Sequence, residues 1–572
     1  MAAVHHFLLA LLAALLVSAC SSPLVPAPER HAPCRQQQPD SDLVERLRSS
    51  WQQLASPGIT EAERAQVMQQ YNADLLKLVR RIRRDAHEAG KMPCYDSIEI
   101  KFTIGPRKLH LAAIYDDVVP AADVELASLD ERYVLPGVGV PMVGVIPENK
   151  LRAEGEPSFN IATRGTVRAL CAILLFRDGC KPQLRLFPLQ RRESVRIGAW
   201  HYPLAADWSA PLEIYWNLTR VRKDRLVGLL RPQALRKTTG LSSLEPYNPN
   251  KIPVILTHGL ASSAGTFDNL VNRLLSEPTI RNNYQFWYFN YPTGVAWTVS
   301  ARVYRESLQN LRQMVDPHRK NRNWDHMVVL GHSMGGLITR YSQCEEPWKI
   351  LSAANVPQKK LLQYLHPKYV DTPFSDPSLE ALRKDYFFRP VQAGLVIYMA
   401  TPHRGAPVAK YRLATFFSKL VTLPQTLLAE AYNIATLQED MLLLNPQNAY
   451  QWFTSVGQLK PDSYSIRGLQ GLAVRPAPTH SVIGNDTHSA CPRCTDGIVP
   501  YWSSHIDWGS ETIVKSDHSV QDSAAAADDL KRVLVQYAAM HPAIKAASGR
   551  RKPRAPRQST AQLSHPDGAG HK

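Results

Sequence analysis

The sequence predicts an α/β protein, with a mainly parallel sheet covered by helices and preceded by a helical and β-rich N-terminal region. Three observations predict it. From Ile252 onward, short apolar runs (PVILTHG, QFWYFNY, DHMVVLG, AGLVIYMATP, THSVIG, ETIVKS) alternate with stretches of helical spacing, the pattern of strands buried on both faces. The run MVVL leads through Gly331-His332-Ser333-Met334-Gly335 into GLITRYSQC, which reads as strand, tight turn and helix. Before Ile252 the texture differs, with two helical patterns and then short β-rich runs separated by turn residues. A chain of 572 residues and 64.1 kDa has room for two or three domains.

The elements follow in order. Residues 7–17, FLLALLAALLV, are uncharged but too short to span a bilayer, and small residues follow them. Residues 1–19 therefore read as a signal peptide, although the segment before the apolar run carries His5 and His6 and no Lys or Arg. Val17-Ser18-Ala19-Cys20 resembles the bacterial lipobox, which implies lipidation at Cys20 and an N-terminal lipid anchor in the cell envelope. By the same resemblance, Ser21 after the cysteine implies the outer membrane. Residues 20–40, rich in Pro, Ser and Gln, read as a tether. An accessory domain is expected over 41–245: two helices over 41–88, β-rich runs from 97 to 200, and an apolar amphipathic segment near 203–218. The alternating region, 246–544, forms the main domain, interrupted by insertions at about 345–390 and 405–460. The basic tail 545–572 is almost free of large apolar groups and is expected to be disordered.

The formal net charge of +17 admits a nucleic acid or an anionic membrane surface as partner, and composition does not choose between them. The export signal points toward the membrane, and no nucleic-acid partner is expected. Composition does exclude a multi-pass membrane protein, because only the first twenty residues hold a long uncharged apolar run. Eight cysteines less a lipidated Cys20 leave an odd number, so at least one stays unpaired in an oxidising compartment. Cys491-Pro-Arg-Cys494 is open to three readings: zinc half-site, redox pair or tight disulfide. No second CxxC completes a zinc site and the export signal favours the disulfide, so no metal or cofactor is expected. Cys171 and Cys180 bracket turn residues and suggest a local bridge, which leaves Cys34 with Cys94 and Cys344 as a buried free thiol.

A serine on a tight strand-to-helix turn reads as a nucleophile, and it needs a base, an acid and donors for the oxyanion. His258-Gly259 lies 75 residues before Ser333, after an apolar strand. The loop holding Leu260 is thus expected beside the turn, with the backbone N–H groups of Leu260 and Met334 as oxyanion donors and His258 as a structural residue. The base should follow the last strand, as His518 does in ETIVKSDHSVQD; His403 and His505 follow the wrong elements, and His488 lies in the acid loop. The acid should follow THSVIG. Asp496, in Thr495-Asp496-Gly497, is the first choice and Asp486 the second, while Asp517 reads as a surface turn.

With HGL at 258–260, GHSMGG at 331–336, MATPHRG at 399–405, TDGIVP at 495–500 and SDHS at 516–519, residues 252–540 resemble the α/β-hydrolase superfamily, in particular its esterases and lipases. The resemblance implies a Ser333-Asp496-His518 triad and a helical cap over the site. A further likeness is to large proteobacterial lipoprotein hydrolases with such an N-terminal extension. The expected activity is hydrolysis of acyl esters, lipidic ones included, through an acyl-enzyme. Amidase or transacylase chemistry on the same residues, and a non-catalytic envelope-binding protein, are the alternatives.

Overall fold

The computed structural model describes residues 41–89, 95, 97–101, 103–104, 107–108, 115–147, 165–190, 192–219, 239–354, 383–407 and 455–544. The expected signal peptide, Cys20, the tether, Cys34, Cys94, most of both insertions and the basic tail lie outside the described residues. Among the described residues no helix is long and apolar enough to cross a membrane. The chain divides into two compact units, Met1–Asp123 with Leu135–Val143 and Ala169–Ala206, and Val124–Val134 with Gly144–Arg168 and Asp207–Lys572.

In the first unit the helix Ser41–Ala55 buries Leu43, Val44, Leu47 and Leu54, one apolar stripe at helical spacing. The helix Glu61–Ala89 follows a reciprocal cap: Thr60 Oγ1 accepts from the Glu63 N–H at 3.3 Å, and Glu63 Oε2 accepts from the Thr60 N–H at 3.0 Å. The β-rich expectation is met by a five-stranded sheet in the order Glu99–Lys101, Gln183–Pro188, Gly165–Leu175, Val140–Pro147, Asp117–Pro120, of which residues 144–147 and 165–168 fall in the second unit. Its hairpin corrects one cysteine pairing. Cys171 lies opposite Phe187, four rungs from the last pair, Leu175 with Gln183, or roughly 13 Å along the strand. Cys180 sits in the turn beyond that pair, too far for a disulfide. Both thiols are free, Cys171 buried and Cys180 exposed.

The second unit is built on a seven-stranded sheet. Its strands in chain order are β1 (Gly240–Ser243), β2 (Ile252–Thr257), β3 (Tyr284–Asn290), β4 (Val328–His332), β5 (Leu395–Met399), β6 (Thr479–Gly484) and β7 (Ser510–Val514). The spatial order is β1-β3-β2-β4-β5-β6-β7, parallel throughout except for the antiparallel edge strand β1. Every residue of β2, β3, β4 and β5 is buried, which is why they read as unbroken apolar runs. The helices used below are α1 (Asp268–Leu275), α2 (Trp297–Val315), α3 (Met334–Ser342), α4 (Tyr464–Gln470) and α5 (Ala524–Met540). Helix α2 buries Trp297, Ala301, Tyr304, Leu308 and Leu311, and these pack with Trp287, Tyr341 and Tyr398 in one core. The apolar segment expected near 203–218 forms the helix Ser209–Thr219, whose Tyr215 and Trp216 rings meet Tyr288 of β3. That helix lies in the second unit.

Candidate active site

The turn between β4 and α3 is the centre of the site, and glycines make it possible. Ser333 has φ 54° and ψ −124°, a conformation that side-chain-bearing residues rarely adopt and that stores strain. A Cβ on Gly331 would lie 2.5 Å from the Cα of Gly336, and one on Gly335 would lie 2.1 Å from the carbonyl oxygen of Thr257. Helix and strand can therefore approach only as backbone. The Ser333 N–H donates to the Met399 carbonyl of β5 at 2.8 Å, which fixes the turn to the neighbouring strand. Ser333 Oγ is left at the C-terminal end of the sheet with the residue 9% exposed.

The loops after β6 and β7 bring the other two side chains to it. Ser333 Oγ lies 2.8 Å from His518 Nε2, and His518 Nδ1 lies 2.8 Å from Asp496 Oδ2. Asp496 is buried, and its Oδ1 accepts from the N–H groups of Ile498 and Val499 at 2.8 and 2.6 Å. Both carboxylate oxygens are thus occupied, and the side chain has one orientation. Gly497 takes φ 86°, the left-handed turn that glycine adopts without penalty. Gly484, at the end of β6, leaves room for Asp496, because a Cβ there would stand 2.9 Å from that of Asp496. With Nδ1–H donating to the carboxylate, Nε2 is the ring's acceptor and takes the Ser333 hydroxyl hydrogen. The fold is that of an α/β-hydrolase.

The remaining candidates separate cleanly. Asp486 is exposed, with its backbone N–H on the Thr495 carbonyl at 2.8 Å. Asp517 accepts from the Ser519 N–H at 2.9 Å in an exposed turn. His403 is buried beside Arg340 at 3.4 Å, and His505 is held by Glu511 at 2.7 Å. His258 is buried, with Nδ1 donating to the Gly259 carbonyl at 3.1 Å. Gly259 lies against Ser333, since a Cβ on it would fall 2.9 Å from Ser333 Cβ. The loop with Leu260 therefore borders Ser333, and among the described residues the Leu260 N–H donates to no acceptor. Met334 is the first residue of α3, where an N–H has no partner within its helix. Cys491 and Cys494 form a disulfide two residues before Asp496, and Cys344 is a buried free thiol. No cluster among the described residues could hold a metal ion.

Two contributors carried no sequence signal. His332, at the variable position before the serine, donates from Nε2 to the His518 carbonyl at 2.9 Å. Burial pushes its pKa down to about 3, so it stays a neutral donor. Tyr291 donates its hydroxyl to the His258 carbonyl at 2.6 Å, and its ring stacks on the His258 ring at 4.4 Å.

No protein-family model matches the chain, and no curated protein is similar to it. Among solved structures it is similar to the mature form of Bacillus licheniformis lipase BlEst2, with 12% identity, 52% of this chain and 97% of that chain covered, and a TM-score of 0.26. The Paleococcus ferrophilus monoacylglycerol lipase gives 14%, 50%, 94% and 0.25 for the same quantities. For the RedJ thioesterase of the Streptomyces coelicolor prodiginine pathway they are 14%, 52%, 94% and 0.24.

Proposed function

We propose that the protein is a serine carboxylester hydrolase. The observation that carries this is the unbroken chain Ser333 Oγ–His518 Nε2 at 2.8 Å and His518 Nδ1–Asp496 Oδ2 at 2.8 Å. In the proposed reaction Ser333 Oγ attacks the acyl carbonyl carbon while its proton passes to His518 Nε2. The carbonyl oxygen becomes an oxyanion facing the Leu260 and Met334 N–H groups. The C–O bond to the alcohol then breaks, and the alcohol leaves with the proton from His518. Water attacks the acyl-enzyme, His518 takes its proton and returns it to Ser333, and the carboxylic acid departs. Asp496 holds the ring in the required tautomer and stabilises its protonated form.

Anchoring to the bacterial envelope through a lipidated Cys20 belongs to the same proposal and rests on Val17-Ser18-Ala19-Cys20. The apolar runs LATFF and KLVTLPQTLL of the second insertion favour a medium or long acyl chain as substrate. A series of p-nitrophenyl esters from acetyl to decanoyl, beside the matching p-nitroanilides, tests the reading. Ester turnover rising with chain length, with anilides cleaved far more slowly, is expected. Faster anilide than ester turnover would make it an amidase, and no turnover of any member would overturn it.

A further inference from the structure

The loop carrying Leu260 holds a conformation that its own residues disfavour. Ala261 has φ 52°, the left-handed region, although it bears a Cβ. What holds it comes from the segment after β3. The Ala261 N–H donates to Thr293 Oγ1 at 3.2 Å, and Thr293 is only 2% exposed. Thr293 is itself fixed, because its carbonyl accepts from the hydroxyl of the buried Ser455 at 2.5 Å. Two residues earlier, Tyr291 holds the His258 carbonyl. Positions 258 and 261 are thus tied to one short segment, and Leu260 lies between the ties.

We propose that Thr293 is a positioning residue for the oxyanion site: its hydroxyl oxygen keeps Ala261 left-handed and so aims the Leu260 N–H at the developing oxyanion. The inference rests on Leu260 being an oxyanion donor, as in the proposed function. Its leverage comes from proximity. Gly259 is so close to Ser333 that a Cβ would stand 2.9 Å from the serine's own Cβ, so any relaxation of the loop changes the distance from the Leu260 N–H to the reacting carbonyl. Losing an oxyanion donor outright costs about 10²–10³-fold in rate, and a donor that is displaced but present should cost about tenfold or more.

The test compares Thr293→Val, which keeps the shape and loses the acceptor, with Thr293→Ser, which keeps the acceptor. Rates are normalised to Ser333 sites titrated with a fluorophosphonate, so that misfolded protein is not counted. For p-nitrophenyl hexanoate, kcat/KM should fall about tenfold or more in Thr293→Val and stay within about threefold of wild type in Thr293→Ser. The Ki of an alkyl boronic acid, whose adduct on serine carries the oxyanion, should rise by the same factor. The Ki of the unreactive ether analogue of the ester should not move. A Thr293→Val protein within twofold of wild type overturns the inference, as does a rate loss without loss of boronate affinity or an equal loss in Thr293→Ser. An inactive wild type would instead overturn the ester-hydrolase reading itself.

Discussion

Replacing His332 by Gln is the most quantitative perturbation the site offers. The imidazole is buried, donates to the His518 carbonyl at 2.9 Å, and has its pKa pushed by burial from the ordinary 6.5 to about 3. The unfolded chain takes up a proton at this position below pH 6.5, whereas the folded protein refuses it until about pH 3. The unfolded state therefore binds more protons in that window, and stability falls as pH falls through it. At about 1.36 kcal/mol per pH unit the full loss is roughly 5 kcal/mol, of which about 3 kcal/mol has accrued by pH 4.5. Gln keeps an amide N–H for the carbonyl and does not titrate. Urea unfolding of both proteins at pH 7.5 and 4.5, followed by tryptophan fluorescence, isolates the effect because every other titrating group is common to both. Wild type should lose about 3 kcal/mol more than His332→Gln between the two pH values. Stability curves that run parallel within about 0.5 kcal/mol would refute the reasoning, since that is the spread of mutations that touch nothing.

Further outcomes are expected at the acid, the turn and the disulfide. Asp496→Asn should lower kcat by about 10⁴-fold, because it favours the wrong His518 tautomer. The exposed Asp486→Asn should change kcat by less than about threefold, and the reverse order would move the acid. Gly336→Ala places a Cβ 1.9 Å from Thr401 Oγ1 and should lower the urea stability by about 1–3 kcal/mol, with part of the loss recovered in the double variant carrying Thr401→Ala. An unchanged midpoint would contradict the packing of the turn on β5. Mass spectrometry of unreduced, denatured and alkylated protein should find Cys491 linked to Cys494 and alkyl groups on Cys171, Cys180 and Cys344. Reducing that link with dithiothreitol should lower kcat several-fold, because it frees the loop that carries Asp496, and an unaltered rate would remove the disulfide from any role in holding the acid.

What was legible in the sequence is what local sterics write there. Alternating apolar strands and helices gave away β2 to β6 because a parallel sheet buries both faces of its inner strands. Gly331 and Gly335 marked the turn because backbone meets backbone there, Gly336 because the Thr401 side chain fills the space a Cβ would take, and Gly497 marked the loop of Asp496 because of its left-handed φ. Contacts between distant segments left no such trace. His332 occupies a position any residue could fill, and its partner is a carbonyl 186 residues away. The Thr293 contact with Ala261 joins two segments 32 residues apart with no pattern in either. Cys171 and Cys180 looked paired because sequence proximity does not reveal that Cys171 lies deep in a strand. The edge strand β1 is four residues with no alternation, too short to stand out from a loop.

Treating the purified full-length protein and its Ser333→Ala variant with a fluorophosphonate, then locating the adduct by peptide mass spectrometry, tests the central claim most directly. A hydroxyl activated by His518 at 2.8 Å should give one adduct, on the peptide containing Ser333, and none in the variant. No adduct under conditions that label a control serine hydrolase, or an adduct that persists in Ser333→Ala, would contradict it.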